Sequence, residues 1–187
     1  MANPDAAFGF RPVGNDYGPY TGQTRRCVFG TVSSATAAYV GDVVTQDNIT
    51  SGTTGEQTVI EATIGSPCYG VVTSFEANPE NLSQQYRAAS QQRYCQVALA
   101  EGNLFEVQDS GTAGTAGIGL NAKLSTGTGS AYTGVSKQEI GGFTANSTGD
   151  FQVVGGVNRP DNDLTLANAN WIVKFNNPSS KTVRTGT

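Results

Sequence analysis

The residues able to do chemistry are few, and their spacing assigns them to structure. No histidine occurs among the 187 residues, so the side chain most used for proton transfer near neutral pH and for holding transition metals is missing. Ser-His-Asp and Cys-His machinery is thereby excluded. Cys27, Cys68 and Cys95 are an odd number with long spacings and no CxxC pair, which speaks against a zinc site and for small buried hydrophobes in a reducing compartment. Gly117-Ile118-Gly119-Leu120-Asn121-Ala122 has the letters of a truncated dinucleotide fingerprint, but no βαβ pattern surrounds it. Asp161-Asn162-Asp163 opens like a calcium loop, yet Leu166 and Ile172 stand where the loop needs glycine and glutamate. A turn that bonds its own backbone is the better use of these residues. Trp171 and Tyr132 suit sugar stacking, but Trp171 alternates with Val173 and Phe175, the pattern of a core strand. None of the 15 acidic residues is singled out as a catalytic pair. The expectation is a non-enzyme with no catalytic residue, no cofactor and no metal.

What must position these residues is β-structure. Val outnumbers Leu 17 to 7 and there is a single Met; β-branched side chains pack well on a pleated surface and lose rotamer freedom in a helix. The length allows one domain with an arm. Charged residues make up only 14% and the net charge is -4, so the surface is built from Ser, Thr, Asn, Gln and Gly. Nucleic acid is disfavoured as a partner, because phosphate binding needs clustered cations and Arg25-Arg26 is the only basic pair. Neither a signal-like N-terminus nor a run of about 20 apolar residues is present, which predicts a soluble protein made in the cytoplasm, with no membrane partner.

Along the chain, residues 1–24 read as an extended N-terminal arm, broken by Pro4, Pro12 and Pro19 yet carrying Phe8, Phe10, Val13, Tyr17 and Tyr20. Such an arm is suited to packing onto another surface, the alternative being an arm that lies back over its own domain. Residues 25–177 read as a β-rich domain and 178–187 as a polar tail, with disorder expected from Asn176 onward. Strands are expected at Cys27–Phe29 with Thr31-Val32, at Ala38–Val40 running into Val43-Val44 after a Ser-Ser turn, at Val59–Ile64, and at Cys68–Phe75, where Gly70-Val71-Val72 marks a bulge or a close backbone approach. Further strands are expected around Gln84–Arg87 and Tyr94–Leu99, at Asn103–Gln108 with one apolar and one wet face, at Asp150–Val154 and at Asn170–Phe175. Ser110–Gly119 and Ser125–Gly134 read as surface loops. The fold class is all-β, a single β-barrel or β-sandwich domain with an extended N-terminal arm.

The stretch Val157-Asn158-Arg159-Pro160-Asp161-Asn162, followed by Ala169-Asn170-Trp171-Ile172-Val173-Lys174-Phe175-Asn176-Asn177, resembles a family of small structural proteins of tailed-bacteriophage heads. The opening Ala2-Asn3-Pro4-Asp5-Ala6-Ala7-Phe8-Gly9-Phe10-Arg11-Pro12-Val13 is similar to the same family. So are Gly41-Asp42-Val43-Val44, Phe105-Glu106-Val107-Gln108 and Ile118-Gly119-Leu120-Asn121-Ala122, in the family's order. Between Glu76 and Cys95 the chain departs from that pattern, with Gln-rich sequence in place of a more aromatic stretch.

The resemblance implies a capsid decoration, or cement, protein: a β-rich subunit on the outer surface of the virion head, often trimeric, that clamps neighbouring copies of the major capsid protein. Its site residues are then contact residues, for which the arm offers Phe8, Phe10, Arg11, Pro12, Tyr17 and Tyr20, since aromatic and Arg side chains dominate interface energetics. A phage tail-tube or fibre subunit is the alternative within virion structure. A carbohydrate-binding module relying on Trp171 is the alternative outside it.

Overall fold

The computed structural model describes residues 2–30, 36–47 and 55–179, and within them the chain is all-β. It opens with a short hairpin, β1 (Arg11–Asn15) and β2 (Gly18–Pro19). Next come β3 (Arg25–Phe29), β4 (Val43–Gln46), β5 (Gln57–Glu61), β6 (Gly70–Phe75) and β7 (Arg93–Leu99). The second half supplies β8 (Asn103–Gln108), β9 (Asn121–Ser125), β10 (Glu139–Thr144), β11 (Phe151–Gly156) and β12 (Asn170–Phe175). The one complete helical turn among the described residues is 3-10, at Thr115–Gly117.

Strands β3 to β7 close into a five-stranded barrel in the order β3-β5-β4-β6-β7, with β3 and β5 parallel. The remaining seven form a sheet in the order β10-β9-β11-β12-β8-β1-β2. This sheet curls toward closure. Just past β8 the Asp109 amide donates to Ala169 beside β12, and the next amide, Ser110, donates to Ile140 of β10 at 2.9 Å.

Valine doublets join the two units. In Val43-Val44 and Val71-Val72 successive side chains point to opposite faces of a strand. Val44 and Val72 face the barrel interior with Cys27, Phe29, Val59, Cys95 and Val97. Val43 and Val71 face outward and join the second core of Phe105, Phe151, Trp171, Val173 and Phe175. Both faces are buried, so the sequence shows apolar pairs rather than alternation. Gly70 makes the close backbone approach: a Cβ there would sit 2.2 Å from the Ala98 carbonyl oxygen. The bulge falls later, where the β6–β7 register shifts between Val72 and Ser74.

Several expectations need correction. Gln84–Arg87 is not a strand: the segment from Asn78 to Gln92 is a run of turns in which the Asn78 and Asn81 side chains accept the Glu80 and Ser83 amides, so local side-chain bonds displace the ladder. Arg87 keeps one bridge, to Ala38. The polar face of β8 is not wet. Glu106 and Gln108 are 6% and 1% exposed, covered by Arg159 and the N-terminal segment. Strands β9 and β10 were not anticipated. Nor does order end at Asn176: the Cys68 amide donates to Asn177, and Ser179 donates back to the Cys68 carbonyl at 2.7 Å. The expected strand at Thr31-Val32 and the Ser33-Ser34 turn lie outside the described residues, as does most of the Thr50–Gly55 loop and the tail beyond Ser179.

Candidate functional site

Gly9 and Gly41 set the path of the N-terminal segment. Both adopt positive φ, +73° and +96°, where an L side chain is strained. The two backbones cross so closely that a Cβ on Gly41 would lie 2.7 Å from the Phe8 carbonyl oxygen, and one on Gly9 would lie 2.5 Å from Ser136 Cβ. The Phe10 amide pins the crossing by donating to the Gly41 carbonyl at 2.9 Å. Upstream, the Asn3 amide group donates to the carbonyls of Asp163 and Ala167. Gln108 clamps the chain between them, donating to Pro4 and accepting the Ala6 amide. Downstream, β1 pairs with β8.

The segment is therefore extended, but it is stitched onto its own domain. Phe10 turns inward, 2% exposed, and stacks on Phe151 with ring centroids 4.8 Å apart. On the solvent side lies a groove of about 490 Å³ between the segment and the barrel, where Val40 and Val135 meet Phe8, Pro12 and Tyr20. The Arg11 guanidinium lies over the Phe8 ring, 4.6 Å from its centroid. Arg11 is exposed and belongs to none of the ion pairs among the described residues. The Tyr20 hydroxyl donates to the Gln23 carbonyl at 2.7 Å, and burial raises its pKa.

Of the six anticipated contact residues, Phe8, Phe10, Arg11, Pro12 and Tyr20 line this groove. Tyr17 stands apart, 99% exposed on the β1–β2 turn, which is held by its own amide on Asn15 Oδ1 and by Asp16 on Gly102. Phe10 is withdrawn from direct contact: its ring is committed to Phe151 and Phe175, so it shapes the groove from beneath. Sequence reading missed Val40 and Val135, which reach the groove from two distant stretches. It also missed Gly41, Asp42, Ser136 and Gln138 beneath the crossing; the Gly41-Asp42 pair ahead of a valine doublet was the available signal.

The other chemical candidates resolve into structure. Trp171 is 0% exposed, and its indole N–H donates to Asp109 Oδ2 at 2.9 Å, so it offers no platform to a sugar. Asp163 accepts the Thr165 amide and hydroxyl, and Asn162 binds Val157 and Asn170, the self-bonding turn expected there. Gly117 ends the 3-10 turn, and strand β9 follows. All three cysteines are buried free thiols; burial pushes Cys27 up to about 11 and Cys68 up to about 12. Arg26 is paired with Glu56 and Glu76, and Arg25 donates to the Tyr69 hydroxyl.

No protein-family profile, curated protein or solved structure matches the chain. Function is therefore argued from the geometry of this molecule together with the motif resemblance. Of the stretches that carry that resemblance, the N-terminal one packs on two others, Gly41–Val44 and Phe105–Gln108. The N-terminal segment touches Gly41 through Phe10, β8 through β1 and Gln108, and the Asp163–Ala167 turn through Asn3.

Proposed function

We propose that this chain is a virion structural protein, a decoration or cement protein that binds the outside of a phage head through the groove under its N-terminal segment. The observation that carries the reading is the convergence of Phe8, Arg11, Pro12 and Tyr20 on one apolar groove, where the N-terminal stretch that resembles the head proteins crosses Gly41. The partner in this reading is the major capsid protein, with self-association into a trimer. Apolar area at the groove supplies affinity, and Arg11, held over Phe8, supplies a charge-assisted contact to a partner carboxylate. Modest affinity per site suffices, because sites repeated around a shell act together.

The sheet edges favour side-chain recognition over strand pairing. One edge, β2, is two residues long and contains Pro19. The other, β10, carries a register shift between Gly141 and Thr144. Short, proline-bearing or bulged edges resist pairing with another chain.

The test is co-sedimentation of the purified protein with heads assembled without it, followed by thermal rupture of the decorated and bare shells. Saturable binding with a raised rupture temperature is expected, weakened at least tenfold by Arg11→Glu or Phe8→Ala. Equal rupture temperatures, or binding indifferent to both variants, would remove the role assigned to the groove. Near one-to-one stoichiometry with the capsid subunit is expected; a few copies per particle would mean a tail component instead.

A further inference from the structure

Asp42 lies directly beneath the crossing that builds the groove, and it is 1% exposed. Its Oδ2 accepts the Tyr39 amide at 2.7 Å, Oδ1 is buried with no close donor on it, and the Ser136 hydroxyl is the polar side chain beside the carboxyl. A buried carboxylate with an unsatisfied oxygen is costly unless it takes up a proton. The surroundings add no compensating cation among the described residues. The titratable groups facing it are Glu61 from β5 and Tyr39 from its own turn, and both Glu61 and Asp42 adjoin one polar knot. In that knot, which is fully buried at Ser136 and Gln138, Gln138 accepts the Val43 amide and donates to Glu61, its own amide donates to Ser136 Oγ, and Ser136 donates its amide to Val40.

The N-terminal segment rests on the Asp42 backbone and, through Ser136, on its carboxyl. Gly41, which accepts the Phe10 amide, donates to Val72, and Val72 donates to the Asp42 carbonyl. Ser136 packs against Gly9 so tightly that no side chain fits between them.

We propose that protonated Asp42 latches the N-terminal segment onto the barrel, and that ionising Asp42 lifts the Phe8–Phe10 crossing and opens the groove to its partner. Burial pushes the carboxyl up to about 7, opposed by the Ser136 hydroxyl and the Tyr39 amide and reinforced by the Glu61 charge. In the lifted state solvent returns the carboxyl toward its ordinary 3.8. By linkage, the opening equilibrium then rises about tenfold per pH unit between those values and levels off above the higher one. Between pH 5 and pH 8 the full effect is on the order of 80-fold.

The latch is measured on the free full-length protein, as amide exchange of Phe8 to Arg11 at pH 5 and pH 8, corrected for intrinsic exchange. Protection is expected to fall at least tenfold at pH 8, and Asp42→Asn, which keeps an acceptor for Tyr39, should flatten the difference. Glu61→Gln, which keeps an acceptor for Gln138, should move the midpoint to lower pH and serves as the second variant if Asp42→Asn folds poorly. Protection equal at both pH values overturns the proposal, as does a fall that persists unchanged in Asp42→Asn or a midpoint unmoved by Glu61→Gln. Only the opening toward a partner rests on the groove reading. Heads that bind equally at pH 5 and pH 8, with exchange still pH-dependent, would remove that step and leave the latch.

Discussion

Asn3 and Asp163, 160 positions apart, exchange a reciprocal pair of hydrogen bonds: the Asn3 side chain donates to the Asp163 carbonyl at 2.9 Å and accepts the Asp163 amide at 2.8 Å. A third bond runs from Asn3 to Ala167. The first residues of the chain are thus a clamp on the turn that leads into β12. Asn3→Ala removes all three bonds at a site where Asn3 is buried, and net hydrogen-bond contributions of roughly 0.5–1.5 kcal/mol each predict a loss of about 1.5–4.5 kcal/mol. Urea unfolding checks the size, and faster exchange at the Asp163 amide checks the place. Unchanged exchange there would mean that the turn holds itself.

Phe10 and Tyr17 separate the two roles of the leading segment. Phe10 is fixed between Phe151 and Phe175, so Phe10→Ala should cost about 3–5 kcal/mol, the usual range for deleting a buried aromatic ring. Tyr17 is almost wholly exposed, so Tyr17→Ala should stay within about 0.5 kcal/mol of wild type. Chemical denaturation of both variants measures the contrast. Comparable losses would mean that the segment is not part of the core.

Legibility in the sequence followed local pattern. Asn103–Gln108 and Asn170–Phe175 were bounded correctly because Phe105 and Val107, and Trp171, Val173 and Phe175, recur with period two. Strand β9, Asn121-Ala122-Lys123-Leu124-Ser125, has the same period, but only a small Ala122 and one Leu124 mark its buried face. In β10 the Gly141-Gly142 pair hides the strand behind turn chemistry. The burial of Glu106 and Gln108 was out of reach, since their cover comes from Arg159 and Pro4. The aromatic half of the groove was legible in the first 24 residues. Its valines were not, because contacts between residues 12, 40 and 135 exist only in three dimensions.

Cys27 and Cys95 are direct partners across β3 and β7, both inside the barrel and both protonated near neutral pH, since burial pushes Cys27 up to about 11 and Cys95 well above its ordinary value. A thiol is a weak nucleophile until ionised. A disulfide reagent at pH 8 should therefore label these two at least a hundredfold more slowly in the native protein than in guanidinium chloride. Labelling at equal rates would show that the barrel opens freely.

Acid and base should act on stability through Asp42 in the direction opposite to an ordinary surface carboxylate. Its folded-state pKa of about 7 lies above the ordinary 3.8, so the folded state binds the proton more tightly than the unfolded one. The stabilisation is complete below pH 3.8 and is lost as pH rises through 7. At 1.36 kcal/mol per unit, the loss attributable to this group is at most about 4 kcal/mol. Asp42→Asn cannot ionise and keeps an oxygen for the Tyr39 amide, so its stability relative to wild type should be lowest near pH 4, rise up to about pH 7 and level off above it. Paired urea titrations at half-unit intervals measure that difference. A flat difference would mean that Asp42 keeps the same pKa on unfolding, and a falling one that the buried carboxylate is stabilised as the anion.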